Sequence, residues 1–176
     1  GKYIYIATSG IQIIELSDNG IPNKKSLLTF LEGPPIEKII VEEDYLYAAT
    51  PVDMHVIDIS NPKQPVLESS YLSETRLIGL EKKGDYVYLG SIVNGIKVID
   101  VSNPKFPAEV ASYNYDGPGI ARCLAMVDSY IYYATVTNGL KIIDISNPTM
   151  PTEIGSVDKL GLAENITIVD NYAYIS

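Results

Sequence analysis

Four charged residues recur at matching places in the chain, where they could bind a ligand. Glu37, Arg122 and Glu164 each stand eight residues before a Tyr-x-Tyr pair, and Arg76 stands ten residues before its own pair. Segment 81–85 reads as a turn two residues longer than its counterparts, which would make all four positions equivalent. Two arginines there could grip a carboxylate with paired hydrogen bonds. Solvated strand ends carry the same residue types, so the sequence leaves both interpretations open.

Side chains suited to nucleophilic or metal chemistry are few. The chain has one histidine, His55, and one cysteine, Cys123. This composition provides neither a zinc-binding spacing nor an intrachain disulfide. His55 lies beside a predicted strand, away from the channel that we expect at the centre of the fold described below. A Ser-His-Asp arrangement also depends on geometry that a sequence does not give. We therefore predict no catalytic residues, no metal and no cofactor.

These residues belong to a unit that repeats along the chain. The segment Val56-Ile57-Asp58-Ile59-Ser60-Asn61-Pro62 returns twice, and a looser copy precedes it. A fixed period near 42 residues indicates a propeller, a solenoid or an array. The copies begin at Ile13, Val56, Val98 and Ile142, and the tyrosine pairs begin at Tyr3, Tyr45, Tyr86, Tyr130 and Tyr172.

Each unit reads as four short strands joined by turns. In residues 120–157, apolar and β-branched runs alternate with the turn signals Asp128-Ser129, Asn138-Gly139 and Ser146–Pro151. No apolar stripe has helical spacing. Antiparallel four-stranded units of about 40–45 residues are propeller blades. The sequence therefore predicts an all-β fold, a β-propeller of four-stranded antiparallel blades of about 42 residues.

The hairpin between the second and third strands of a blade carries its own signal. Asn138-Gly139 and Asn94-Gly95 stand at the same place in two repeats, and Asp53-Met54 replaces them in an earlier one. Asn-Gly favours a two-residue type I′ turn, in which both residues have positive φ. We expect this turn in the two later blades.

An acidic residue closes the third strand of each complete repeat. Val56, Asp58 and Ser60 share one face of their strand, because strand side chains alternate. A buried carboxylate needs hydrogen-bond donors, which the serine hydroxyl and the turn N–H groups would supply. The alternative, a calcium site, needs six to eight oxygens, and each turn offers one carboxylate. We predict turn locks at Asp58, Asp100 and Asp144 with Ser60, Ser102 and Ser146.

The third-strand motif resembles that of the LVIVD repeat family. Its pattern, I-I-D-I followed by S-N-P-x-x-P, stands at residues 56–65, 98–107 and 142–151. The first copy departs from it, with Glu15 in place of the aspartate. The resemblance implies a propeller-type repeat of bacterial or archaeal surface or secreted proteins, with no general enzymatic activity.

The predicted blades leave both ends of the chain incomplete. We expect complete blades at 35–73, 74–116 and 117–158, and partial blades at 1–34 and 159–176. The chain starts and stops on a second strand, whereas a ring closed by pairing its ends needs only one there. We expect a segment of a larger propeller of six to eight blades. The alternative is a four-bladed ring with one strand displaced.

Charge and composition narrow the function. A net charge of −9 argues against nucleic acid or an anionic membrane as the partner. No apolar run approaches the roughly 18 residues of a membrane span, so we expect no membrane insertion within this segment. We predict a non-catalytic recognition or scaffold module of a cell-surface or secreted protein. Its protein or carbohydrate partner would bind the propeller loop faces and the channel mouth.

The alternative function is a propeller enzyme or ligand carrier. It would bind a polar or anionic small molecule, such as a sugar, at the channel mouth. The residues predicted to line that mouth are Glu37, Arg76, Arg122 and Glu164.

Overall fold

The computed structural model is built of β-strands and turns throughout the residues that it describes. These residues are 2–8, 10–29, 33–115, 120–136, 139–158, 161, 163–170 and 172–176, and for 23–29 only the backbone is described. The chain divides into two compact units, Gly1–Ser73 and Glu74–Ser176. The described part of the chain has no helix with the length and apolarity that crossing a bilayer requires.

The first unit contains a three-stranded sheet and a four-stranded sheet. Neighbouring strands are antiparallel, and strand order in each sheet follows chain order. The three-stranded sheet comprises β1 (Tyr3–Ala7), β2 (Gly10–Leu16) and β3 (Pro22–Thr29). The four-stranded sheet comprises β4 (Lys38–Glu42), β5 (Tyr45–Ala49), β6 (Asp53–Asp58) and β7 (Val66–Leu72).

The second unit contains two four-stranded antiparallel sheets and a two-stranded one. The first comprises β8 (Leu77–Lys83), β9 (Tyr86–Ser91), β10 (Gly95–Asp100) and β11 (Ala108–Tyr113). The second comprises β12 (Ala121–Val127), β13 (Tyr130–Thr135), β14 (Gly139–Asp144) and β15 (Thr152–Val157). The two-stranded sheet pairs β16 (Ile166–Val169) with β17 (Tyr172–Ile175).

The core of each unit lies between its sheets. In the second unit, Tyr88 and Val98 of one sheet share a buried cluster with Ile131 and Ile143 of the next. Every residue of β10 from Gly95 to Ile99 is buried, so both faces of this inner strand are covered. Burying each such side chain contributes about 1.5–3 kcal/mol. The predicted all-β fold of four-stranded antiparallel blades is confirmed.

The first strands of the second unit's sheets lie side by side. β12 contacts β8 and β16, the arrangement expected of strands that line a propeller channel. Leu124 of β12 fills the space above Gly79 and Gly90, where a Cβ on Gly90 would stand 2.1 Å from the Leu124 side chain. These two glycines therefore allow close approach of neighbouring blades. The blade limits predicted from the sequence stay predictions, and residues 116–119 and 159–160 lie outside the described part.

The prediction of a type I′ hairpin is wrong for Asn94-Gly95. Gly95 has a φ of +71°, whereas Asn94 does not have positive φ. Gly95 pairs directly with Ser91, so the loop has three residues rather than two. A three-residue loop closed by a left-handed glycine is the next commonest hairpin. Asn138, the corresponding residue of the later blade, lies outside the described residues.

The hairpin of the earlier blade is also displaced from its predicted place. Thr50 N–H donates to the Asp53 carbonyl at 2.9 Å, so Pro51 and Val52 form a two-residue loop. Asp53 and Met54 belong to β6. This loop is one residue shorter than that of the next blade, which moves the apparent match by one position.

Candidate functional site

Three of the predicted channel-mouth residues occupy equivalent positions at the start of first strands. Glu37 N–H donates to the Ala49 carbonyl at 2.9 Å, and Glu164 N–H donates to the Ser176 carbonyl at 2.7 Å. Arg122 lies at a β-bulge where the β12–β13 register shifts. In the second unit, Arg122 Nη1 lies 3.9 Å from Glu164 Oε1, with both side chains exposed. Such an exposed ion pair contributes about 0–1 kcal/mol.

Arg76 does not share that position. The β8–β9 turn is Gly84-Asp85, which is as short as Asp128-Ser129, because Lys83 pairs directly with Tyr86. The expectation of a turn two residues longer is therefore wrong. The register shift in β8 spans Ile78, so Ile78 stands where Arg122 stands in β12.

Hydrogen bonding at the strand starts gives the same alignment. The Arg76 carbonyl accepts from Ile92 N–H at 2.8 Å, as the Ile120 carbonyl accepts from Val136 N–H at 2.9 Å. Arg76 thus corresponds to Ile120, two residues before the bulge. The hypothesis that Arg76 and Arg122 bind one carboxylate together depended on their equivalence in the repeat, and the two positions are not equivalent.

The predicted turn-lock aspartates lie at the partly exposed ends of third strands. One carboxylate oxygen of each accepts the N–H of the serine two residues later. The Oδ1–N distances are 2.7 Å for Asp58–Ser60, 2.8 Å for Asp100–Ser102 and 2.7 Å for Asp144–Ser146. The Ser102 hydroxyl and N–H hold the pKa of Asp100 below its usual value. Among the described residues, no group of three or more His, Cys, Asp or Glu is placed to hold a metal ion.

A hydroxyl at the end of the second strand recurs in each blade, and the sequence reasoning missed it. Thr50 Oγ1 accepts Asp53 N–H at 3.1 Å, and Ser91 Oγ accepts Asn94 N–H at 3.2 Å. The Thr8 and Thr135 hydroxyls donate to glycine carbonyls across the same hairpin. The available signal was a Ser or Thr five residues after the first tyrosine of each of the first four pairs.

The middle of the third strand carries a polar residue opposite a serine of the fourth strand. Cross-strand register pairs Lys97 with Ser112 and Lys141 with Ser156. Lys97 Nζ donates to Glu109 Oε2 at 2.7 Å. Lys141 makes the same kind of contact with Glu153 Oε1 at 3.1 Å. These ion pairs satisfy ammonium groups that are largely removed from solvent.

His55 takes this place in the sheet of β4–β7. Its Nδ1 lies 2.7 Å from Ser70 Oγ, and its Nε2 lies 3.3 Å from Asp53 Oδ1. Asp53 also accepts a hydrogen bond from the Thr50 hydroxyl. Burial lowers the pKa of His55, and the charge of Asp53 partly opposes that effect. The structure thus brings together serine, histidine and aspartate side chains that no sequence spacing linked.

The second unit also exposes large apolar side chains on what we call its loop face. The loop face carries the turns that follow the first and the third strands. One hydrogen bond joins the two turns in each blade: Val101 N–H donates to the Asp85 carbonyl and Ile145 N–H donates to the Ser129 carbonyl, both at 2.8 Å. The residue before the last proline of each third-strand turn is apolar there. Phe106 is 75% exposed and Met150 is 64% exposed.

Adjacent blades are tied at this same face. Lys83 Nζ donates to Asp128 O at 2.8 Å and to Ser129 Oγ at 2.7 Å. Lys82 Nζ donates to the Gly84 carbonyl at 2.6 Å. The lysine doublet therefore also stabilises the turns that border Phe106 and Met150.

A shallow cleft of about 490 Å³ lies between the sheet of β12–β15 and the sheet of β16–β17. Its lining includes Tyr132, Ile142, Val157 and Ile168. In the preceding sheet, the equivalent face packs against β12–β15. The cleft is therefore a blade-packing surface, distinct from the predicted channel mouth.

The sheet order, the adjacent first strands and the repeated turns define a β-propeller repeat protein. A family model described as LVIVD repeat matches residues 36–73, 80–115, 118–159 and 160–176. These matches cover more than half of the chain, which therefore belongs to the LVIVD repeat family. No curated protein matches the chain.

Solved structures support the fold. The chain is similar to the computationally designed Ika8 protein, with a TM-score of 0.73 and 14% identity, covering 99% of this chain and 52% of that one. It is also similar to a protein from Lactobacillus plantarum, with a TM-score of 0.70 and 12% identity, covering 94% of this chain and 57% of that one. The computationally designed Ika4 protein is similar with a TM-score of 0.66 and 14% identity, covering 82% of this chain and 86% of that one. At this identity the likeness shows the fold alone.

Proposed function

We propose that the loop face of the chain is a non-catalytic recognition and scaffold surface that binds a protein partner. The observation that carries this proposal is the exposure of Phe106 and Met150 at equivalent turns of adjacent blades. Large apolar side chains left in water on a rigid support are typical of interaction surfaces. Val110 and Ile154 extend the apolar surface along the outer strands β11 and β15.

The proposed setting is the surface of a cell or the medium outside it. The LVIVD repeats support this as a family resemblance. The net charge of −9 favours partners other than nucleic acid or anionic lipid. A carbohydrate partner would also be held by aromatic rings, so Phe106 is central to either partner class.

The test compares binding of the purified chain to washed source cells. Phe106→Ser with Met150→Ser should reduce retention at least tenfold, because two exposed anchors are lost. Ile120→Ser is the matched control: Ile120 is 48% exposed but lies at the opposite end of β12. Equal retention by the double variant and the control variant would overturn the proposal. Thermal melting checks that both variants fold.

The second candidate is a carrier for a polar small molecule at the channel mouth. It is favoured by the approach of Arg122 to Glu164 at the starts of adjacent first strands. A guanidinium beside a carboxylate offers donors and acceptors to a sugar or an amino acid. Arg122→Ala should abolish retention of the small molecule and leave cell binding intact, which separates the two candidates.

A further inference from the structure

We propose that Ser70, His55 and Asp53 form an acyl-accepting serine site on β6 and β7, which reacts with carboxylic esters that have an apolar acyl group. This inference goes beyond the proposed binding function. It is carried by the geometry of three side chains in the first unit, none of which lies on the loop face of the second.

The three side chains occupy one face of two paired strands. His55 stands directly opposite Ser70 in the cross-strand register, and Asp53 lies two residues before His55. The imidazole therefore has Ser70 Oγ at 2.7 Å from Nδ1 and Asp53 Oδ1 at 3.3 Å from Nε2. A nucleophile, a base and an orienting acid within this reach define the serine arrangement by role rather than by chain order.

The surroundings favour the base form of the imidazole. His55 is buried, and its low pKa keeps the ring neutral at pH 7. With the proton on Nε2, facing Asp53, the lone pair of Nδ1 points to the Ser70 hydroxyl. Thr50 fixes the Asp53 carboxylate by a hydrogen bond, so the acid is held in place to select this tautomer.

The hydroxyl is accessible, and its flanks are apolar. Ser70 is exposed on the outer strand β7. On the same face, Leu72 pairs with Asp53 and Leu67 pairs with Ile57, and both leucines are exposed. Two aliphatic side chains beside a nucleophile favour an acyl chain of similar polarity.

The reaction is an acyl transfer. Ser70 Oγ forms a bond to the ester carbonyl carbon, and its proton passes to His55 Nδ1. The bond from that carbon to the alcohol oxygen then breaks, and the imidazolium returns the proton to the departing alcohol. Water releases the acyl group as the carboxylic acid by the same route. No oxidant or reductant is needed.

The chain supplies its own controls. Ser112 and Ser156 stand at the same place in their blades but face Lys97 and Lys141. Each of these lysines contacts a glutamate, so the side chain opposite the serine is an ammonium group rather than a base. Any reactivity that comes from the fold alone would therefore appear at all three serines.

The experiment incubates the full chain with p-nitrophenyl butyrate and follows butyrylation by intact mass and peptide mapping. We expect one butyryl group on Ser70, none on Ser112 or Ser156, and no adduct in Ser70→Ala. His55→Gln should slow acylation by about 100-fold or more, the usual contribution of a general base. The proposal would be overturned by the absence of both an adduct and p-nitrophenol release above the level of Ser70→Ala, by equal labelling of the three serines, or by an unchanged rate in His55→Gln.

A second variant guards against a folding artefact. His55→Lys with Leu67→Glu installs the ion pair found in the sheets of β8–β11 and β12–β15. This double variant should therefore melt at the temperature of the parent chain yet remain unlabelled.

The variant Asp53→Asn tests the proposed role of Asp53 in positioning the imidazole of His55. Because His55 is the only histidine, its ¹⁵N signals report the tautomer directly. A shift of the ring proton away from Nε2 together with slower acylation is expected, and an unchanged tautomer would contradict the role of Asp53.

Discussion

The sheet of β4–β7 and the sheet of β8–β11 share one hydrogen-bonding plan and differ in the polar group at its centre. Lys97 and Glu109 form an ion pair in one, whereas His55 contacts Ser70 and Asp53 in the other. Both arrangements provide a polar partner for the buried residue at the same position of the blade. A polar group at this buried position therefore needs a partner, and its chemical identity differs between the two blades.

The hairpin before the third strand explains how the second solution becomes possible. Gly95 stands at the start of β10 with a φ of +71°, a conformation that excludes most side chains. The loop before β6 is one residue shorter, and Asp53 at the equivalent place does not have positive φ. The shorter loop thus allows a carboxylate side chain two positions before His55.

The largest effect should come from placing a side chain at Gly95. In Gly95→Ala, the new Cβ would stand 2.0 Å from the Tyr113 carbonyl oxygen and would also be held at positive φ. We expect a loss of about 3 kcal/mol or more in the free energy of unfolding, measured by urea denaturation.

Gly84→Ala is the matched control for this variant. Its φ is +55°, but nothing lies within 4 Å of the added Cβ. We expect a cost of about 1 kcal/mol, from the backbone conformation alone. Equal costs at the two glycines would show that the close approach to β11 does not decide the residue at position 95.

The next largest effect should distinguish the ion pair of Lys97 with Glu109 from the contact of His55 with Ser70. Glu109→Ala leaves the Lys97 ammonium without that partner in a nearly buried place, and should cost about 2 kcal/mol of unfolding free energy. Ser70→Ala removes one hydrogen bond of an exposed hydroxyl, and should cost about 0.5–1 kcal/mol. Chemical denaturation of both variants measures the difference. A larger loss in Ser70→Ala would reverse the comparison.

The sequence predicts the fold well because its signals are periodic and local. The Tyr-x-Tyr pairs and the Ser-Asn-Pro turns mark the strands and their order without any long-range information. Asp58 and Ser60 are two residues apart, so their contact can also be read from the sequence. Glycines at the hairpins mark a turn, although the loop length has to be counted in the structure.

The candidate sites depend on register, which has no residue-type signature. The alignment of Arg76 from the sequence fails because Lys82 and Lys83 resemble a turn but belong to β8. The contact of His55 with Ser70 depends on a register shift after Val56 in the β6–β7 pair. Fifteen residues separate the two side chains, and nothing in those residues fixes the pairing.

A smaller effect should appear in the pH dependence of stability. Burial lowers the pKa of His55 below the ordinary 6.5, so the unfolded chain binds more protons than the folded chain just below pH 6.5. Stability is therefore full above pH 6.5 and falls as the pH drops through the folded pKa. In His55→Lys with Leu67→Glu, this decline should disappear. Melting temperatures from about pH 7.5 to about pH 5 measure it, and an unchanged decline would assign it to other groups.

The smallest effect concerns the turn locks, and it separates two blades that look alike. The leading cause of the lowered pKa is the Ser102 hydroxyl for Asp100 but the Ser146 N–H for Asp144. Both locks stabilise the fold above the ordinary pKa of 3.8 and are lost as the pH falls through the lowered values. Ser102→Ala should therefore raise the pKa of Asp100, measured by carboxyl ¹³C NMR, more than Ser146→Ala raises that of Asp144. Equal shifts would mean that the N–H group dominates in both turns.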